Sequence, residues 1–79
     1  MNGYFYVAEY GYHYPNPERL TLEQARKELT ERLEEAHMEC RRRYKCGRKH
    51  RTTKDSGRVT MGDDLQSTIW RAFSIQPCR

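Results

Sequence analysis

Two pairs of residues in this chain have the types and spacing for nucleophilic or metal chemistry. Cys46 and His50 lie four residues apart, and the arginines and lysines around them would lower the thiol pKa. A thiolate beside an imidazole is the raw material of a cysteine nucleophile. Acyl transfer also needs donors for an oxyanion, and nothing nearby supplies them, so an exposed loop cysteine among cations is the plainer reading. There is no nucleophile elbow, no glycine-rich phosphate loop and no HExxH motif. Gly62-Asp63-Asp64-Leu65 places two acids side by side, a pattern of turns more than of metal sites. The chain reads as non-enzymatic.

His37 and Cys40 have the spacing H-x2-C, and Cys46 and His50 have C-x3-H, with five residues between the pairs. Four ligands of these types can build a tetrahedral zinc site, although a zinc knuckle orders its ligands differently. The competing reading puts His37 on a solvated helix flank, Cys40 at the end of an apolar stripe, and Cys46 and His50 in a loop. Cys40 cannot easily serve both a core and a metal. A small zinc-stabilised adaptor is therefore an alternative, and no cofactor is expected.

The densest chemistry is cationic. From Arg41 to Arg58 the chain carries Arg41, Arg42, Arg43, Lys45, Arg48, Lys49, Arg51, Lys54 and Arg58 against the single acid Asp55. Such side chains neutralise phosphates and release counterions, which gives nucleic-acid binding that weakens with salt. Tyr44 and His50 are interleaved and could stack on unpaired bases. Arginine outnumbers lysine six to three, and its planar fork suits phosphates, guanine edges or carboxylates. The expected binding residues are Tyr44 and the nine cations. The alternative is a solvated helix end and hairpin with surplus charge. Pairing with the domain's own acidic helix is a further alternative, although the helix acids already have local partners.

This charge is localised. Residues 1–39 hold eight acidic and four basic side chains, residues 40–58 hold one and nine, and residues 59–79 hold two of each. The net +4 is thus the remainder of an acidic first half and a segment of +8.

These residues need elements to position them. Residues 3–14, GYFYVAEYGYHY, alternate as a strand ended by Pro15-Asn16-Pro17. The face of Phe5 and Val7 points to the core. Tyr6, Tyr10, Tyr12 and Tyr14 on the other face exceed what a small core absorbs, and serve either a binding surface or an aromatic ladder. Thr21-Leu22-Glu23-Gln24 is a capping box, and Leu22, Ala25, Leu29, Leu33, Ala36 and Cys40 make one apolar stripe. The spacing predicts a helix from Thr21 to about Arg43, with Gly47 as its stop. Arg51–Lys54 and Arg58–Met61 flank Asp55-Ser56-Gly57 as a hairpin with a left-handed or bulged position. Gly62-Asp63-Asp64 is a second turn, and Thr68 to Gln76 is a last strand.

The expected fold is α+β: one long amphipathic helix packed on a small antiparallel sheet, in the order β-α-β-β(-β), over a single domain of 79 residues. So small a chain buries little core, so part of the stripe could form the seam of a homodimer. No apolar run spans a bilayer and the N-terminus lacks a signal-peptide pattern, so a cytoplasmic protein with no membrane partner is expected. Three cysteines fit reduced thiols, with a Cys40–Cys46 bridge left open.

In size and order of elements the chain resembles small inhibitor proteins of phages and mobile elements of the anti-CRISPR type. The resemblance lies in the strand Tyr4–Tyr14, the helix Thr21–Arg43 and the strands from Arg51 to Gln76, a layout without a shared motif. It implies an inhibitor in the host cytoplasm that occludes a host nucleoprotein complex through a protein subunit or its nucleic acid. Many such inhibitors are acidic DNA mimics, and the basic segment departs from that pattern. Direct binding of DNA or RNA through residues 41–58 is the alternative function.

Overall fold

The computed structural model describes residues 3–45, 47–61 and 68–78. Helix α1 runs Leu22–Tyr44, and four strands follow the chain as β1 (Phe5–Glu9), β2 (Arg48–Thr53), β3 (Ser56–Thr60) and β4 (Ile69–Pro77). The fold is α+β, with one helix on an antiparallel sheet, as the residues predict. Its spatial order is not the chain order. The sheet runs β1-β4-β3-β2, so the last strand is inserted between the first and the third. The helix therefore connects the two edges of the sheet, and passes over all four strands on the way. At about 1.5 Å per residue its 23 residues extend ~34 Å, which accounts for most of the 41 Å long axis.

Local chemistry explains both ends of α1. Gln24 N–H donates to Thr21 Oγ1 at 3.1 Å and Thr21 N–H donates to Gln24 Oε1 at 3.0 Å, completing the capping box. The stop is Lys45, not Gly47. Lys45 adopts a left-handed conformation with φ of 61°, and its N–H donates to Arg41 O. Gly47 is small for another reason: a Cβ there would stand 3.0 Å from Cys40 Sγ.

The apolar stripe is used within one chain. Ala25, Leu29, Leu33, Ala36 and Cys40 are buried, and only Leu22 at its start is half-buried. They meet Val59 and Phe73, with Val7, Met61, Trp70 and Ile75 packed around them. Within the stripe only Leu22 keeps part of its surface exposed.

All four strand ranges differ from expectation, and β2 starts at Arg48, three residues before the expected Arg51. β1 ends at Glu9, because Gly11, with φ of +93°, turns the chain, and Tyr12 N–H donates to Glu9 O. Tyr14 then folds back: its hydroxyl accepts from Glu9 N–H at 3.0 Å and its ring meets Tyr6 at 5.6 Å. In the β2–β3 hairpin the turn is Lys54-Asp55, and Ser56 and Gly57 belong to β3. Gly57 has no left-handed φ; the register shift lies between Arg51 and Thr53. The turn expected at Gly62-Asp63-Asp64 lies outside the described residues.

Candidate functional site

Cross-strand partners share a face of a sheet, so the register sorts the side chains into two layers. Lys49 pairs with Val59, Val59 with Arg71, and Gly57 with both Arg51 and Phe73. These residues face α1. The open face takes the alternate positions: Arg58 opposite His50 and Ala72, Ser74 opposite Ser56 and Ala8, and Gln76 opposite Tyr6.

This sorting divides the basic segment. Lys49 and Arg51 lie along the acidic helix: Lys49 Nζ pairs with Glu34, and Arg51 donates to Thr30 Oγ1 at 2.8 Å and to Lys54 O at 2.9 Å. The hydrogen bond from Lys49, and then its charge, hold the Glu34 carboxyl below its ordinary pKa. Arg26, earlier on the helix, pairs with Asp55 of the hairpin turn at 2.8 Å. The strand thus runs back along the helix, and the pairing with the domain's own acids is real. Lys54 sits at the hairpin tip, beside the start of α1. Arg26 and Arg41 are separated by about 22 Å of helix, so the tip is remote from the arginine cluster.

That cluster occupies the other end. Arg41, Arg42, Arg43 and Lys45 share the last turn of α1 and its cap, where cations also meet the negative end of the helix dipole. Arg43 pairs with Glu39 at 3.3 Å. Among the described residues, Arg41, Arg42, Lys45, Arg51, Lys54 and Arg58 make no ion pair, and of these Arg51 is held by hydrogen bonds to neutral groups. Tyr44 packs edge-on against Trp70 at 6.2 Å, which ties the helix end to the start of β4. Its ring is engaged there, although the residue stays 46 % exposed. Arg48 opens β2 on the open face, opposite Thr60. The structure thus brings Arg41, Arg42, Arg43 and Lys45 together at the helix end. It sets Lys49 and Arg51 against the helix, Lys54 at the far tip, and Arg58 and Arg48 on the open face.

One cation outside the expected set holds this end in place. Arg71 binds Glu9 through both prongs, Nε to Oε2 at 2.8 Å and Nη2 to Oε1 at 2.6 Å, with Glu39 Oε2 3.8 Å from Nη1. The hydrogen bond to Glu9 raises the Arg71 pKa above its ordinary value, against the opposing effect of burial. The alternation of residues 5–9 already placed Glu9 on the helix-facing side; it sits there because Arg71 meets it.

Of the four residues weighed as zinc ligands, the three described ones have other partners. His37 Nε2 is 3.1 Å from Gly47 O and must donate, since a carbonyl only accepts. Cys40 is fully buried with its thiol 3.9 Å from Thr60 O, and His50 Nε2 is 3.3 Å from Thr60 Oγ1. Cys46 lies outside the described residues, and with it the Cys46–His50 pair. Among the described residues no three His, Cys, Asp or Glu side chains are grouped to hold a metal ion. No described helix is long and apolar enough to cross a membrane.

Tyrosines reach the open face as well. Tyr6 and Tyr14 satisfy one another, whereas Tyr10 is 88 % and Tyr12 67 % exposed. They border an open concavity of about 480 Å³ floored by Ala8, Ala72 and Ser74. Comparison with protein-family models, curated proteins and solved structures finds no match to this chain.

Lys45 carries a prediction, because it combines a strained cap with an unpaired charge. Lys45→Gly should raise stability by about 0.5–1 kcal/mol, the left-handed cost removed less the extra chain entropy of glycine. The same substitution should weaken polyanion binding. A urea titration read beside a binding titration checks both signs, and a loss of stability would show that the cap geometry is wrong.

Proposed function

We propose that this is a non-enzymatic binding protein that engages nucleic acid through the cationic end of its helix. The nucleic acid is either free or exposed on a host nucleoprotein complex. The observation that carries the reading is the convergence of Arg41, Arg42 and Lys45 on one turn with no acidic partner among the described residues. An unpaired exposed cation releases a counterion when it meets a phosphate, and several on one turn add their effects. Arginine adds bidentate geometry. Action by occlusion follows from size: a body 41 Å long covers about 12 base pairs at 3.4 Å each. This keeps the inhibitor role implied by the layout resemblance, with electrostatic attraction setting the on-rate.

Titration of a fluorescent duplex and single strand of about 30 nucleotides, at about 50 and about 200 mM salt, tests it. Micromolar binding that weakens steeply with salt is expected. No binding of either strand at the lower salt rules the reading out. Co-purification with a nucleoprotein effector complex from host cells tests the occlusion role.

A further inference from the structure

Among the described strand residues, none whose register places it away from α1 is acidic. Every glutamate of α1 lies in the other layer, Glu9 faces Arg71 there, and Asp55 is held by Arg26. What the open face presents is a row across all four strands. The β1–β4 ladder continues one residue past β1, with Tyr10 N–H donating to Ala72 O at 2.8 Å. Ala72 lies opposite Arg58, and Arg58 opposite His50. The row therefore reads Tyr10, Ala72, Arg58, His50: an exposed ring, a gap, a guanidinium without an ion pair, and an imidazole. The next row is Ala8, Ser74 and Ser56. Ala8 and Ser74, with Ala72, floor the open concavity that Tyr10 borders.

We infer that this face is a platform for single-stranded nucleic acid, with a base stacked on Tyr10 and the backbone phosphate on Arg58. The inference rests on the nucleic-acid reading above and specifies the form of the ligand. Strands are ~4.8 Å apart, so Tyr10 and Arg58 stand ~10 Å apart, a span of about two to three nucleotides. A ring face offers stacking to any unpaired base, whatever its sequence, whereas a duplex keeps its base faces covered. A four-stranded face is also wider than the major groove of about 12 Å, which admits a helix or a two-stranded ribbon. In β4, two residues before Ala72, Trp70 meets Tyr44 of the cationic helix end at 6.2 Å.

The test uses fluorescein-labelled oligo-dT and a duplex of equal length, titrated with wild type, Tyr10→Ala, Tyr10→Phe and Arg58→Ala. Tyr10 is almost wholly exposed, so the variants should melt like wild type. Tyr10→Ala is expected to weaken single-strand binding about fivefold or more and to leave duplex binding unchanged, while Tyr10→Phe keeps its ring and its affinity. Arg58→Ala should weaken the single strand and lower its salt slope by about 0.7. If wild type binds neither ligand, both this inference and the function it rests on fall. If wild type binds but Tyr10→Ala changes single-strand affinity less than twofold, or both ligands equally, the platform alone is overturned. It is overturned also if sedimentation shows a dimer that Tyr10→Ala dissociates, since the face would then cover a second copy.

Discussion

Gly57→Ala is expected to lower the stability of the domain by about 2–3 kcal/mol, the upper part of the range for overpacking a filled core. The cause is space, not backbone freedom. A Cβ at position 57 would lie 2.5 Å from Leu33 Cδ1, 3.1 Å from Leu33 Cδ2 and 2.9 Å from His50 O. A side-chain methyl can usually rotate away, but Leu33 is 2 % exposed and wedged between helix and sheet. The His50 carbonyl belongs to the neighbouring strand and cannot move without parting β2 from β3. A chain of this length has total stability of only about 4–12 kcal/mol, so the loss is a large share of it. Urea unfolding measures the effect. The clash also predicts its own relief: adding Leu33→Ala to Gly57→Ala should cost less than the sum of the two single changes, because the second removes the atoms the first collides with. Gly57→Ala within 0.5 kcal/mol of wild type, or strict additivity, would show that α1 stands further from β3 than described.

The same glycine shows how far the residues alone reveal the fold. Elements governed by short-range chemistry were legible. The capping box fixed the start of α1 to the residue, and the spacing of Leu22, Ala25, Leu29, Leu33, Ala36 and Cys40 identified the buried face. Positions whose reason lies across the molecule were not. Asp55-Ser56-Gly57 looks like a turn because glycine is commonest in turns, yet Gly57 is a strand residue chosen by the proximity of Leu33, 24 positions earlier. Residues 10–14 continue the alternation of a strand, but the turn at Gly11 and the Tyr14–Glu9 bond bring them back on themselves. The insertion of β4 between β1 and β3 is a matter of long-range pairing, which no local pattern records.

The candidate site divides along the same line. Its composition was plain in the chain, but its shape was not, since a count of cations along the sequence treats nine side chains as one patch. Folding β2 back along α1 puts Lys49 and Arg51 on the helix side, one residue apart from His50 on the other. A period-two reading of Arg48–Thr53 beside Thr30 and Glu34, themselves i,i+4 on the helix, contained that signal. The charged edge has a structural role too: an outermost strand written RKHRTT resists pairing with another copy. The basic segment is thus divided by position: Lys49 and Arg51 lie along α1, while Arg41, Arg42 and Lys45 gather at its C-terminal end.

From this separation comes the largest expected effect on binding. Replacing Arg41 and Arg42 together by alanine should weaken duplex binding about 200-fold at 50 mM salt and about 20-fold at 200 mM, the values for two lost phosphate contacts at a slope of about 0.9 each. Neither side chain has an ion-pair partner in the described residues, so the stability cost should stay near the helix-dipole contribution of about 1 kcal/mol. The matched variant is Lys49→Ala with Arg51→Ala, which removes the same formal charge from the same segment. Lys49 is already neutralised by Glu34, and Arg51 is committed to Thr30 and the Lys54 carbonyl. Lys49 brings its own counter-charge and releases few ions on meeting a phosphate, whereas Arg51 has none, so this pair should lower the salt slope by no more than about 0.9, against about 1.8 for Arg41 and Arg42. It should also cost stability, by loosening the hold of β2 on α1. Fluorescence anisotropy of a labelled duplex across a salt series reads both slopes, and thermal melting reads the stability. If the two double variants lose binding equally, the whole segment acts as one diffuse charge and the helix end is not the site. If Arg41 and Arg42 can be removed with no change in slope, phosphate is not what that turn of the helix meets.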